Sequence, residues 1–219
     1  MTSIASPPSD VLEGSPLDLV PVLPVVVISD LEHAVPLAKT LMNAGIRAIE
    51  VTLRSDVALA AVRAIVNEVP DITVGVGTIV NGQQVDEALA AGARFLVSPG
   101  ATERLLDDLQ AAGVPFLAGT TGPSDVMRLL ERGITEAKLF PAEVVGGQAM
   151  LRALAGPLPQ MRFCPTGGIT ATTAPDYLAL PNVGCVGGTW IAPAELLVAE
   201  NWSVIGDRAR QAAALRPTL

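Results

Sequence analysis

Lysine occurs only twice in the 219 residues, at Lys39 and Lys138. Lys39 lies in an Ala/Leu-rich stretch of helical character, whereas Lys138 stands in the middle of Ala-Lys-Leu-Phe-Pro, a short run of strand character. Apolar neighbours disfavour the charged ammonium, and a neutral amine can attack a carbonyl to form a Schiff base. The competing reading is a lysine that closes the end of a sheet through an ion pair. Glu50, Thr52 and Arg54 form a second group, because alternate residues of an extended strand share a face. A carboxylate beside a Schiff-base lysine can shuttle protons, and a nearby guanidinium can hold a substrate carboxylate through two parallel hydrogen bonds. An internal Glu50–Arg54 ion pair is the structural alternative. The segments Pro-Thr-Gly-Gly (165–168) and Gly-Gly-Thr-Trp (187–190) let backbone N–H groups approach an anion closely, or else form two tight turns.

These groups can act together only if the fold gathers them. Eight β-branched or small apolar runs punctuate the chain: 25–29, 48–53, 73–79, 95–100, 115–120, 136–141, 162–168 and 183–189. Their centres recur roughly every 20 to 25 residues, and Gly45, Gly92, Gly113 and Gly133 each end a helical stretch shortly before a strand. The intervening stretches are amphipathic. In Asp56 to Glu68, for example, Val57, Ala60, Ala61, Ala64 and Ile65 share a face from which Asp56, Arg63 and Glu68 are excluded. Apolar strands with helical crossovers predict a parallel sheet covered on both faces, and eight regular units predict an α/β fold of the compact (β/α)8 TIM-barrel type. A loose tail over 1–9, a short helix from about Asp10 to Leu19 and a C-terminal helix from Ala194 to Leu215 complete a single barrel domain over 10–219. Barrel chemistry sits at the C-terminal strand ends, which here offer Glu50, Thr52, Arg54, Thr78, Ser98, Thr120, Thr121, Lys138, Thr166 and Thr189. The two Gly-Gly segments follow strands seven and eight, where many such barrels hold phosphate.

Composition narrows the partners. With 50% hydrophobic residues and a mean hydropathy of +0.47 the chain is not disordered. A net charge of −8 and a pI near 4.6 oppose nucleic acid or an anionic membrane as partner. No basic residue precedes Lys39, so no signal peptide is expected, and the apolar run Leu19 to Ile28 carries Pro21 and Pro24 and falls short of the roughly 20 residues of a membrane span. Cys164 and Cys185 read as buried thiols of a cytoplasmic protein, neither disulfide nor nucleophile. His33, the single histidine, reads as a surface or interface residue. With no Cys/His or multiple-Asp cluster at the strand ends and no Gly-x-Gly-x-x-Gly turn, neither a metal nor a dinucleotide cofactor is expected.

From about Pro21 to Pro193 the sequence resembles the bacterial 2-keto-3-deoxy-6-phosphogluconate (KDPG) aldolases, which also cleave 4-hydroxy-2-oxoglutarate (KHG). Six blocks carry the resemblance: Glu-Val-Thr-Leu-Arg (50–54), Gly-x-Gly-Thr (75–78), Ser-Pro-Gly (98–100), Lys-x-Phe-Pro-Ala-Glu (138–143), Phe-Cys-Pro-Thr-Gly-Gly-Ile (163–169) and Gly-Gly-Thr-Trp (187–190). The resemblance implies that Lys138 forms the Schiff base and that Glu50 is the general acid/base. It further implies that Arg54 and Thr78 hold the pyruvate portion, that Pro99 lines the pocket and that Thr166 meets the sugar-acid hydroxyls. Gly167, Gly168, Gly188 and Thr189 would bind phosphate. The family commonly has Ser where this chain has Thr189, which keeps the hydroxyl and adds a methyl group. A class I aldolase without cofactor, assembled as a homotrimer, is the expectation. Rivals are the same chemistry on the C4-epimeric or a non-phosphorylated keto acid, a metal-dependent pyruvate aldolase and a non-catalytic sugar-phosphate binding barrel.

Overall fold

Residues 14–215 are described by a computed structural model. The eight apolar runs become strands: β1 Val22–Val26, β2 Ala48–Thr52, β3 Thr73–Gly77, β4 Phe95–Val97, β5 Phe116–Thr120, β6 Glu136–Leu139, β7 Arg162–Pro165 and β8 Val186–Gly188. They pair in parallel in the order β7-β6-β5-β4-β3-β2-β1-β8. Two further parallel bridges, Phe163 with Val183 and Thr166 with Gly187, bring β7 back against β8 and the sheet round into a barrel. All five residues of β2 are buried, as expected where helices cover one face of a strand and the barrel interior covers the other.

Seven helices link successive strands: α1 Ala34–Asn43, α2 Ala58–Glu68, α3 Gly82–Ala90, α4 Glu103–Ala111, α5 Pro123–Glu131, α6 Gly147–Ala155 and α7 Ala174–Leu178. Two more, α8 Ala194–Val198 and α9 Trp202–Ala213, follow β8. Their starts are fixed locally, with Asn81 accepting the Gln84 N–H and Thr102 accepting the Leu105 N–H. Their stops use the four glycines of the repeat, which adopt φ of 88, 95, 69 and 74° at Gly45, Gly92, Gly113 and Gly133, where an L side chain would be strained.

Several elements differ from expectation. β1 begins at Val22, three residues before the predicted run, because Pro24 is accommodated within it, in register with Gly188 of β8. The inward stripe of α2 is Ala58, Ala61, Val62 and Ile65, while Val57, Ala60 and Ala64 are only half-buried. Val62 removes more apolar area from water than either alanine, which turns the helix by about one residue. The predicted C-terminal helix is broken at Glu200, whose φ is 48°, and restarts with Asn201 accepting the Val204 N–H. Of the helix predicted over Asp10 to Leu19, the described part is one 3-10 turn, Pro16–Asp18; the rest, with the tail over 1–9, lies outside the described residues. That turn seals the N-terminal end of the barrel: Ser15 Oγ donates to Glu136 Oε2 at 2.6 Å, and Arg162 bonds both Asp18 and Glu136. His33 is half-buried rather than fully at the surface. Its side chain packs edge-on against Trp202, 5.9 Å between ring centroids, with Nε2 3.6 Å from Glu200 Oε1. Among the described residues no helix is long and apolar enough to cross a membrane.

Inside the barrel, Gly75 of β3 stands in register with Phe95 of β4, and a methyl group at Gly75 would overlap the Phe95 ring. Gly75→Ala is therefore expected to lower stability by about 1–3 kcal/mol, the range for overpacking a core. Gly156→Ala, at φ −72° with open space around the added carbon, should stay within about 0.5 kcal/mol. Urea unfolding of the two variants checks both values.

Candidate active site

β2 and β6 lie four strands apart in a ring of eight, so only side chains that point into the barrel can meet between them. Glu50 of β2 and Lys138 of β6 do meet: Lys138 Nζ donates to Glu50 Oε1 at 3.1 Å, with the residues 5% and 1% exposed. Gly77 of β3 makes this possible, since a methyl group there would overlap the Glu50 carboxylate. Lys138 is fixed along its strand by its register with Gly119 and Cys164, and Thr120 Oγ1 donates to its carbonyl at 3.1 Å. The ion pair foreseen as an alternative within strand two does not form; Glu50 pairs with Lys138 instead of Arg54. Lys138 is accordingly not in the purely apolar setting that its chain neighbours suggest.

Phe140 was not singled out from the sequence, yet its ring centroid lies 5.4 Å from Lys138 Nζ, within cation–π range. The signal was present, because Phe140 is two residues from Lys138 and alternate residues share a side. Cys164 also belongs to the interior. Hydrogen bonding from Cys185 holds its thiol below the usual range against the opposing effect of burial, and the Lys138 charge acts in the same direction as Cys185.

The remaining candidates sit at or just past the C-terminal strand ends. Thr52 is buried, and its hydroxyl donates to Val26 O at 2.9 Å. Arg54 has left the strand and is exposed at the rim. Thr78, just past β3, is half-buried and has φ of 66°, a costly conformation for a β-branched residue. Pro99 follows β4 and packs against Gly119, where its backbone leaves no room for a methyl group. Ser98 Oγ accepts the Gly119 N–H at 3.4 Å. Thr121 turns away, both its N–H and its hydroxyl bonding Asp125 at 2.8 Å, and serves the start of α5.

Thr166 follows β7 and is 3% exposed, with Oγ1 3.4 Å from Cys164 O and 3.7 Å from Cys164 Sγ. Gly187 leaves the space that this hydroxyl occupies. The next two residues, Gly167 and Gly168, have φ of 104 and 82°, backbone conformations that favour glycine. Gly188 is buried at the end of β8 and Thr189 is exposed beyond it. Arg208 of α9 donates to Trp190 O at 2.7 Å and ties this second loop down from outside.

A buried amine and carboxylate in contact can share a proton, and an amine so placed can attack a carbonyl, which is the equipment of carbonyl chemistry. Comparison with known proteins agrees. A family described as KDPG and KHG aldolase matches residues 14–207. A 2-dehydro-3-deoxy-phosphogluconate aldolase of Pseudoalteromonas atlantica is 48% identical over 194 residues, covering 89% of this chain and 90% of that one. A KHG/KDPG aldolase of Escherichia coli is 48% identical over 192 residues, covering 88% and 90%. The KDPG aldolase of Legionella pneumophila, solved with pyruvate captured as a covalent carbinolamine, superposes with a TM-score of 0.88 at 44% identity over 90% of this chain and 96% of that one. With the barrel, the buried Lys138–Glu50 contact and this likeness over nearly nine-tenths of its length, the chain belongs to the KDPG and KHG aldolase family.

Proposed function

We propose that this aldolase cleaves KDPG to pyruvate and glyceraldehyde 3-phosphate, and KHG to pyruvate and glyoxylate, through a Schiff base on Lys138. The observation that carries it is the 3.1 Å contact between Lys138 Nζ and Glu50 Oε1 inside the barrel mouth. Glu50 takes a proton from the ammonium, and the neutral amine attacks C2 of the keto acid to give a carbinolamine. Glu50 then protonates the departing hydroxyl, water leaves, and an iminium remains. As the C4 hydroxyl loses its proton to Glu50, the C3–C4 bond breaks, the aldehyde departs and the electron pair moves into the iminium to form an enamine. Protonation at C3 and hydrolysis release pyruvate and restore the amine.

Arg54 and Thr78 would hold the pyruvate carboxylate at the rim, with Pro99 and Phe140 shaping the pocket around the keto group. Thr166 would meet the hydroxyls of the sugar acid. Gly167, Gly168, Gly188 and Thr189 would take the phosphate through backbone N–H groups and one hydroxyl, which the two successive left-handed glycines support. The same proposal has the enzyme working in the cytoplasm, without cofactor, as a homotrimer. Exposed Val144 and Val198, 83% and 77% accessible, offer apolar surface for such an assembly.

Three measurements test this. Incubation with pyruvate and borohydride should leave a reduced pyruvyl adduct on Lys138, retained in Lys39→Ala and abolished in Lys138→Ala; an active protein with no adduct would remove the Schiff-base mechanism. Gly77→Ala should push the Glu50 carboxylate aside and lower kcat about 10²-fold while the adduct still forms. A fall of less than about twofold would mean that catalysis does not need Glu50 where it now lies. Light scattering should give three times the 22.5 kDa chain mass, and a monomer at micromolar concentration would refute the assembly.

A further inference from the structure

Glu143 sits in the turn between β6 and α6, and its contacts run to the loop after β7 and to the groups behind that loop. Its N–H donates to Gly167 O at 3.1 Å, next to the Ala142 N–H on Thr166 O at 2.8 Å. Its carboxylate accepts the Tyr177 hydroxyl at 2.6 Å. Tyr177, on α7, is fully buried. Burial, reinforced by the Glu143 carboxylate, raises the phenol above its ordinary range, so Tyr177 remains a donor. The packing is close. A methyl group at Gly168 would lie 2.6 Å from Glu143 Cγ, and one at Gly147 would lie 2.5 Å from Tyr177 Oη.

Two consecutive glycines have wide conformational freedom, so a left-handed pair holds one shape only when its surroundings impose it. Position 143 does so twice, by its main-chain N–H on Gly167 O, which any residue there would keep, and by the stem of the Glu143 side chain packed against Gly168. A carboxylate close to an anion site would repel its ligand, which makes a purely electrostatic benefit impossible and leaves structure as its contribution. Its carboxylate is stabilised instead by the hydrogen bond from the neutral Tyr177 hydroxyl. We propose that Glu143, locked by Tyr177, is the positioning residue that holds the Gly167–Gly168 loop in its anion-binding shape. It thereby sets affinity for the phosphate end of the substrate, apart from the chemistry at Lys138. The inference rests on those glycines binding phosphate, as in the function proposed above.

The test compares Glu143→Ala, Glu143→Gln and Tyr177→Phe with the parent enzyme. The readouts are kcat and KM on KDPG and on KHG, inhibition by inorganic phosphate, and borohydride trapping of pyruvate on Lys138. Glu143→Ala and Tyr177→Phe should raise the KM for KDPG and the inhibition constant of phosphate about tenfold, the scale of one lost hydrogen bond. The KM for KHG and the trapping should change less than about twofold. Glu143→Gln keeps an acceptor for Tyr177 and should recover most of the affinity. Tyr177→Phe removes a single oxygen and carries the test if Glu143→Ala does not fold. Equal losses on both substrates, or no loss on KDPG, would overturn the positioning role. Tighter phosphate binding in both Glu143 variants would overturn it too, because it would show repulsion alone. A parent enzyme that phosphate does not inhibit would instead remove the phosphate site itself, and this inference with it.

Discussion

A cation and an anion held 3.1 Å apart, both shielded from water, constrain everything around them. Either charge alone in that interior would be costly, and together they are tolerable only at close range and with fixed geometry. The barrel meets this requirement because β2 and β6 stand opposite each other, and because the strands between them give up side chains where space is needed. Gly77 yields to the Glu50 carboxylate, Gly75 to the Phe95 ring, and Gly119 to the backbone of Pro99. Glycine costs conformational entropy within a strand, so its recurrence there reflects crowding in the interior rather than flexibility.

The two ends of the barrel then do different work. At the N-terminal end Ser15, Asp18, Glu136 and Arg162 join the turn before β1 to β6 and β7, satisfying one another. At the C-terminal end the polar groups are arranged toward the mouth, with Thr78 in a strained conformation and Arg54 at the rim. Strain of that kind persists only where neighbouring structure imposes it, and here the packed strand of β3 on one side and α3 on the other supply that support.

The sequence made the barrel and its two central residues legible for a physical reason. Strand runs, helix-ending glycines and the scarcity of lysine are local signals, and each survives folding because the repeat is regular. What was not legible depends on contacts between distant segments. The pairing of Glu50 with Lys138, 88 residues apart, could not be chosen over a Glu50–Arg54 pair by counting along strand two. The inward turn of α2 depended on how Val62 meets the sheet, the break at Glu200 on a single left-handed residue, and the partial cover of His33 on Trp202 of the distant α9. Phe140 differs, since its spacing from Lys138 was visible and only its importance was not.

An acidic protein that takes an anionic substrate must place its few positive groups well, and the arrangement explains how a net charge of −8 is compatible with that task. Lys138 and Glu50 neutralise each other inside the barrel, so the pair presents little net field to an incoming keto acid. Under the proposed function, attraction falls to Arg54 at the rim and to backbone N–H dipoles of the Gly167–Gly168 turn, whose strength does not depend on side-chain charge. Backbone dipoles bind well only when their direction is held, which shifts the burden from the residues that touch the anion to those that brace them. Glu143 with Tyr177 on one loop and Arg208 on the other are placed to bear it, so in that reading recognition depends on side chains that need never meet the ligand.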